Sequence, residues 1–225
     1  MAIARVTAQE AKNNSTTTTV VGTYPGTPTQ GNLLLAWVSV GGTASHPTCA
    51  DADGSWTEVE YNQDSTATRS LTLFSKIAVA SQPTAITATR ASATLMDISI
   101  YEYSGTSATP IGVTTETDGT GTSTIGHTGI LITDAGSLIV TGVFTSATVT
   151  STSVNSSFTK LFDNPTGAIR LIDAFRVPGS IATYTPIFSW TTSRNWAAIS
   201  AEFLPAVVAP TSLIWNPHAS SLYGR

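Results

Sequence analysis

The feature that most constrains this chain is an internal repeat at an offset of about 100–105 residues. Gly31-Asn-Leu-Leu-Leu-Ala-Trp-Val matches Gly136-Ser-Leu-Ile-Val-Thr-Gly-Val. Ser55-Trp-Thr matches Ser157-Phe-Thr, Leu71-Thr-Leu-Phe-Ser-Lys76 matches Leu171-Ile-Asp-Ala-Phe-Arg176, and Ile100-Tyr-Glu-Tyr matches Ser200-Ala-Glu-Phe, in the same order. Such a period is too long for a solenoid unit. It fits two halves of one sandwich or two similar small β domains.

Periodicity decides the class of element. Apolar residues alternate, or run for a few positions, and no window carries a helical i, i+3, i+4, i+7 stripe. Thr16 to Val21 is rich in β-branched residues, which suit a pleated surface. A short helical turn at 7–13 is the lesser reading of that stretch. Turn pairs at Pro25-Gly26, Gly41-Gly42, Asp53-Gly54, Asp118-Gly119, Asn164-Pro165 and Pro178-Gly179 punctuate the chain. About a dozen strands are expected, near 15–22, 32–40, 55–61, 69–79, 84–90, 95–104, 111–117, 136–146, 157–162, 168–177, 182–190 and 195–204. The predicted class is all-β, a jelly-roll-like antiparallel sandwich over 1–204, with repeat halves near 15–104 and 118–204. The alternative is two tandem small sandwiches. An extended segment, 205–225, follows.

Composition narrows the function. Charged residues are 11%, against roughly 25% in ordinary domains. Thr and Ser, roughly three residues in ten, supply the polar surface instead. The net charge of −4 speaks against electrostatic binding of nucleic acid. Met1 to Thr7 lacks the apolar run of a secretory signal, and no apolar stretch is long enough to span a bilayer. A cytoplasmically made protein with a particle-surface composition suggests a virion component.

The scheme Gly-Asn-Leu-Leu-Leu-Ala-Trp-Val, Gly-Ser-Trp-Thr-Glu-Val, Leu-Thr-Leu-Phe-Ser-Lys-Ile-Ala and Ile-Tyr-Glu-Tyr-Ser-Gly, within about residues 15–204, resembles a group of β-rich proteins encoded by bacteriophages and prophages. The resemblance implies a virion or tail-associated component, and the lack of a recognisable triad or metal set adds the expectation that it is not an enzyme. A capsid decoration (cement) protein is the first expectation, with the major capsid protein or other virion proteins as partners. Decoration proteins commonly sit at local three-fold positions, so the analogy implies a homotrimer. A tail or fibre component, or a carbohydrate-binding module for host recognition, is the alternative.

Several residues carry chemistry that could compete with this reading. Asp51-Ala-Asp53-Gly54 has the start of a calcium loop but lacks the later Glu, and a plain Asx turn explains it. His46, His127 and His218 are the available neutral-pH bases, without a Gly-x-Ser-x-Gly elbow; loop or surface positions are expected for them. Glu102 and Glu202 fall at equivalent repeat positions. They could form a glycosidase pair, be exposed positions on alternating strands, or partner Lys76 and Arg176 across the sheet. Trp37, Trp56, Trp190 and Trp196 fall in strands, where large rings fill cores. Asn13, Asn14 and Asn155 match a glycosylation triplet in a chain where Ser and Thr make such matches cheap. The lone Cys49 permits no internal disulfide, and no cofactor or metal site is expected. Beyond Pro205 and Pro210, Leu213, Ile214, Trp215, Tyr223 and Arg225 form an apolar and cationic set outside the strands, suited either to docking on a neighbour or to folding back.

Overall fold

The computed structural model describes residues 2–42, 46–66, 68–147, 149–150, 152–163 and 170–207, with only the main chain of 7–15. The fold is all-β and antiparallel, a jelly-roll-like sandwich, with no helix among the described residues. The stretch 7–13, where a helical turn is the lesser reading of the sequence, is strand: it pairs with Glu102–Met96 as part of a longer ladder.

The repeat is built in three dimensions. The first half supplies β1 (Ala4–Thr23), β2 (Leu33–Val40), β3 (Thr48–Asp51), β4 (Gly54–Ser55), β5 (Thr57–Gln63), β6 (Ser70–Ile77) and β7 (Ala85–Ser104), which form one seven-stranded sheet. The second supplies β8 (Thr106–Gly126), β9 (Ile130–Leu131), β10 (Leu138–Thr145), β11 (Ser153–Val154), β12 (Thr159–Asp163), β13 (Arg170–Arg176), β14 (Thr183–Tyr184) and β15 (Ile187–Pro205). Its sheet repeats the first, and β9 pairs with β14 separately. The registers match. Leu33 sits opposite Tyr103 as Leu138 sits opposite Phe203, and Leu34 faces Lys76 as Ile139 faces Arg176.

The long strands bend each sheet over itself. Met96–Tyr103 of β7 pairs with β2, whereas Thr87–Thr89 pairs with β3, and β1 follows β7 through both parts with register shifts near Asn13 to Thr19. The separate strands expected at 84–90 and 95–104 are therefore one, and β15 likewise joins the end of 182–190, from Ile187, to 195–204. Between the layers of the first half lies a core of Val20, Leu34, Ala36, Val38, Trp56, Ile86, Ile98 and Ile100. The second half encloses Ile125, Ile139, Val143, Phe158, Ile172, Phe188 and Trp196.

A third core joins the halves. Leu33, Leu35, Trp37, Leu73, Tyr101 and Tyr103 pack against Leu138, Val140, Phe144, Leu171, Ile199 and Phe203. This explains the continuous apolar run of β2, which is buried along its whole length. Odd positions face the shared core, and even ones face the half's own core. Close approach is built in at Gly142, where an added Cβ would lie 3.0 Å from the Trp37 ring. Asp118-Gly119, expected as a turn, lies within β8. There a Cβ on Gly119 would come within 2.8 Å of Trp196, so glycine serves packing rather than reversal.

Candidate functional site

The paired carboxylates are the strongest chemical candidates, and both are buried rather than exposed: Glu102 is 3% and Glu202 0% accessible. They do not meet Lys76 and Arg176. Strand β2 lies between Lys76 and Glu102, and β10 between Arg176 and Glu202, which puts each pair about two strand spacings, roughly 10 Å, apart.

Each glutamate instead holds the loop that enters the central strand. Glu102 Oε1 accepts from the Thr29 amide at 2.8 Å and from Asn32 Nδ2 at 2.6 Å. Glu202 accepts from the Thr133 amide at 2.7 Å, Ser137 Oγ at 2.8 Å, Thr133 Oγ1 at 3.0 Å, and the Asp134 and Val113 amides at 3.3 Å. The two loops are copies. Gly31 and Gly136 adopt φ of 85° and 87°, and each donates its amide to the carbonyl two residues after the cationic position, Ala78 and Pro178, at 2.8 Å. Burial pushes the Glu202 carboxyl up, but these donors outweigh it and hold the group below its usual range.

The glutamates point away from each other. Glu102 lies opposite Leu34, which faces the first half's own core, and Glu202 lies opposite Ile139, which faces the second's. Two stacked sheets, spaced about 10 Å, stand between them. A glycosidase pair needs carboxyls roughly 5–9.5 Å apart flanking one bond. These two cannot act jointly on a substrate.

The Asp51–Gly54 stretch is a hairpin turn between β3 and β4, with the Asp53 amide on Asp51 Oδ1 at 2.8 Å. The Asp51 carboxylate turns inward and is saturated. Lys76 Nζ lies at 2.7 and 2.9 Å, Gln82 Nε2 at 2.7 Å and Trp56 Nε1 at 2.8 Å. Burial raises its pKa, yet Lys76, Trp56, the Asp53 amide and Gln82 together lower it below the ordinary value. A cation would have to displace Lys76. No group of three or more His, Cys, Asp or Glu among the described residues could hold a metal. Arg176, the repeat partner of Lys76, lies over the Tyr184 ring at 4.4 Å.

The remaining candidates divide by burial. Trp37, Trp56, Trp190 and Trp196 are core residues at 1–6% exposure, as expected of strand tryptophans. His46 is at the surface, stacked on Tyr61 at 3.5 Å and 3.3 Å from Glu58. His127 lies in the loop between β8 and β9, one of the two places expected for it, and is buried there at 1% exposure. Cys49 is buried, and burial followed by the Asp51 charge pushes its thiol up to about 12. Asn155 uses both ends of its amide on Thr185 and Ile187. His218 and the docking set Leu213, Ile214, Trp215, Tyr223 and Arg225 lie outside the described residues, as do the side chains of Asn13 and Asn14.

Two contacts that sequence reasoning missed tie the halves together. Asn62 Nδ2 of β5 donates to Thr117 O at 2.9 Å and Ala198 O at 3.1 Å. Ser99 Oγ and Tyr101 OH both donate to the fully buried Asp173, at 2.7 and 2.8 Å. Neither has a local sequence signal, since the partners are 55 to 136 residues apart. An apolar groove of about 300 Å³ opens between Leu33, Ile77, Pro110 and Ile111; Lys76 also lines it, with its ammonium already held by Asp51. Comparison of the chain with protein-family models, curated proteins and solved structures gives no match.

Proposed function

We propose that this chain is a structural component of a bacteriophage virion, a capsid decoration (cement) protein that stabilises the particle through contacts with the major capsid protein or other virion proteins. The observation that carries this reading is the use made of its acidic groups. Glu102 and Glu202 lock equivalent loops, and Asp51 anchors a hairpin. These groups stiffen a scaffold instead of converging on a cleft. Three connected cores and few charges suit a rigid, protease-resistant building block.

Attachment in this reading belongs to the C-terminal segment, with Leu213, Ile214, Trp215, Tyr223 and Arg225 as anchors on a neighbouring subunit. A homotrimer is the expected assembly by analogy. Burying a large apolar side chain contributes about 1.5–3 kcal/mol, while ordering the backbone costs about 1–2 kcal/mol per residue. Several copies acting together on one particle are therefore needed for firm binding.

The test is mass spectrometry of purified virions with imaging of particles that lack the protein, alongside a chain ending at Val207. That end point keeps the Ala206 amide on Gly105 O at 2.8 Å. The truncated chain should melt as the full chain does and fail to attach. Absence from virions, undiminished attachment, or glycan binding without particle binding would overturn the proposal.

A further inference from the structure

The two halves differ at one buried position. Tyr24 follows β1 and donates its amide to Thr84 O at 2.9 Å; His127 follows β8 and donates its amide to Pro186 O at 3.0 Å. The rings occupy equivalent places, 2% and 1% exposed. The phenol is satisfied, since Tyr24 OH donates to Tyr101 O at 2.9 Å. The imidazole is not. Nδ1 lies 2.8 Å from Thr128 O, a carbonyl that can only accept, so the neutral ring carries its proton there. Nε2 is buried with no hydrogen-bond partner among the described residues.

That imidazole sits at the end of a bonded path to the seam between the halves. The Thr128 amide donates to Thr117 Oγ1 at 3.2 Å, and the Thr117 carbonyl accepts Asn62 Nδ2 from the other half. The Ala198 carbonyl, near enough to His127 to favour its protonated form, is the second acceptor of that same Asn62 amide. A proton added at Nε2 puts a charge in that buried place and a new donor near the carbonyl that holds β5 to β15.

We propose that His127 is an acid-sensitive latch: its protonation places a charge in a buried site beside the Asn62 contacts and loosens β5 of the first half from β8 and β15 of the second. Burial holds the imidazole below its usual value, and the Thr128 and Ala198 carbonyls oppose that shift. Its folded pKa is depressed, so stability from the neutral ring is present above about pH 6.5 and is lost as pH falls through the lower folded value. Charged groups on the packed elements are Glu58 and Glu60 of β5, Glu116 and Asp118 of β8, Arg194 and Glu202 of β15, and the Tyr184 phenol of β14. None is among the causes of the imidazole shift. Burial, Glu60 and Asp118 raise the Glu116 carboxyl. Protonating these carboxylates relieves repulsion across the seam, opposite in sign to the latch.

The experiment is hydrogen exchange on the full chain between pH 7.5 and 5, corrected for intrinsic rates, in the wild type and in His127→Tyr, which installs the residue of the equivalent site. Protection at Tyr61, Asn62 and Thr117 should fall at least tenfold in the wild type and stay level in His127→Tyr. A level wild-type profile, or an equal fall in His127→Tyr, overturns the latch. Should that variant fail to fold, an NMR titration of the wild type decides. The Asn62 side-chain amide must shift with the same midpoint as the His127 ring, and an amide that ignores the ring overturns the proposal.

Discussion

Replacing Glu202 by Ala should destabilise the chain more than replacing Glu102, because the two carboxylates do the same task with different numbers of donors. Among the described residues Glu202 receives five, of which the Thr133 amide at 2.7 Å and Ser137 Oγ at 2.8 Å are shortest. Among them Glu102 receives two, the Thr29 amide and Asn32 Nδ2. A hydrogen bond to a charged group contributes about 1.5–3 kcal/mol. Thr133 is exposed, so water can replace part of what its amide loses, while Ser137 is fully buried and keeps the whole penalty. The expected loss is about 3 kcal/mol for Glu202→Ala and about 2 kcal/mol for Glu102→Ala. For a chain of this size 3 kcal/mol corresponds to a fall in Tm of about 6–12 °C.

Urea unfolding at pH 7 measures both variants, and a second series at pH 3 checks the cause. The Glu202 carboxyl is held below its ordinary value of 4.5, so the stability contributed by its ionised form is present above that pH and lost as pH falls through the lower folded value. The gap between wild type and Glu202→Ala should narrow at pH 3. A loss under 1 kcal/mol at pH 7, a larger loss for Glu102→Ala, or an unchanged gap at pH 3 would show that the carboxylates do not hold these loops.

Two further outcomes follow from packing and burial. Gly142→Ala should cost about 1–3 kcal/mol, because its methyl would press on the buried Trp37 ring from 3.0 Å; the cost should shrink in a Trp37→Phe background, and equal costs in both would exclude that contact as the cause. Cys49, with its thiol raised to about 12, should resist an aromatic disulfide reagent at pH 8 until denaturant is added, and labelling of the native protein within minutes would contradict its burial.

Much of the architecture was legible because side-chain alternation is a local signal. The run Leu33 to Val38 announces a strand with both faces covered, and the Gly31 and Gly136 turns mark where each half's central strand begins. The long strands were not legible. Ala91, Ser92 and Ala93 are exposed, as are Thr191, Thr192 and Ser193, and polar stretches of that kind read as loops between apolar runs. They are the outer bends of β7 and β15, where the ladders to β1 and β8 shift register, and the strands resume on partners 65 to 77 residues away. The glutamates misled for the same reason. Alternation gives a residue's side of a sheet, but Glu102 and Glu202 are satisfied by loops 65 to 89 residues distant, which no local pattern reveals.

The repeat separates what the fold requires from what one half adds. Both halves use a left-handed glycine, a buried glutamate on the loop behind it, and an aromatic residue, Trp56 or Phe158, ahead of the edge strand. A feature that recurs at matching register is explained by the needs of a sheet folded over its own core. The saturated Asp51 belongs to the first half only, since Arg176, the counterpart of its partner Lys76, turns to Tyr184 instead. His127 belongs to the second half only, where Tyr24 shows that an uncharged ring with a satisfied hydroxyl fits the same place. Burying an imidazole whose Nε2 has no partner is a cost the twin site avoids, so stability alone gives no reason for histidine there. That asymmetry makes the His127 end of the seam the place where a scaffold with two similar halves can respond to its surroundings.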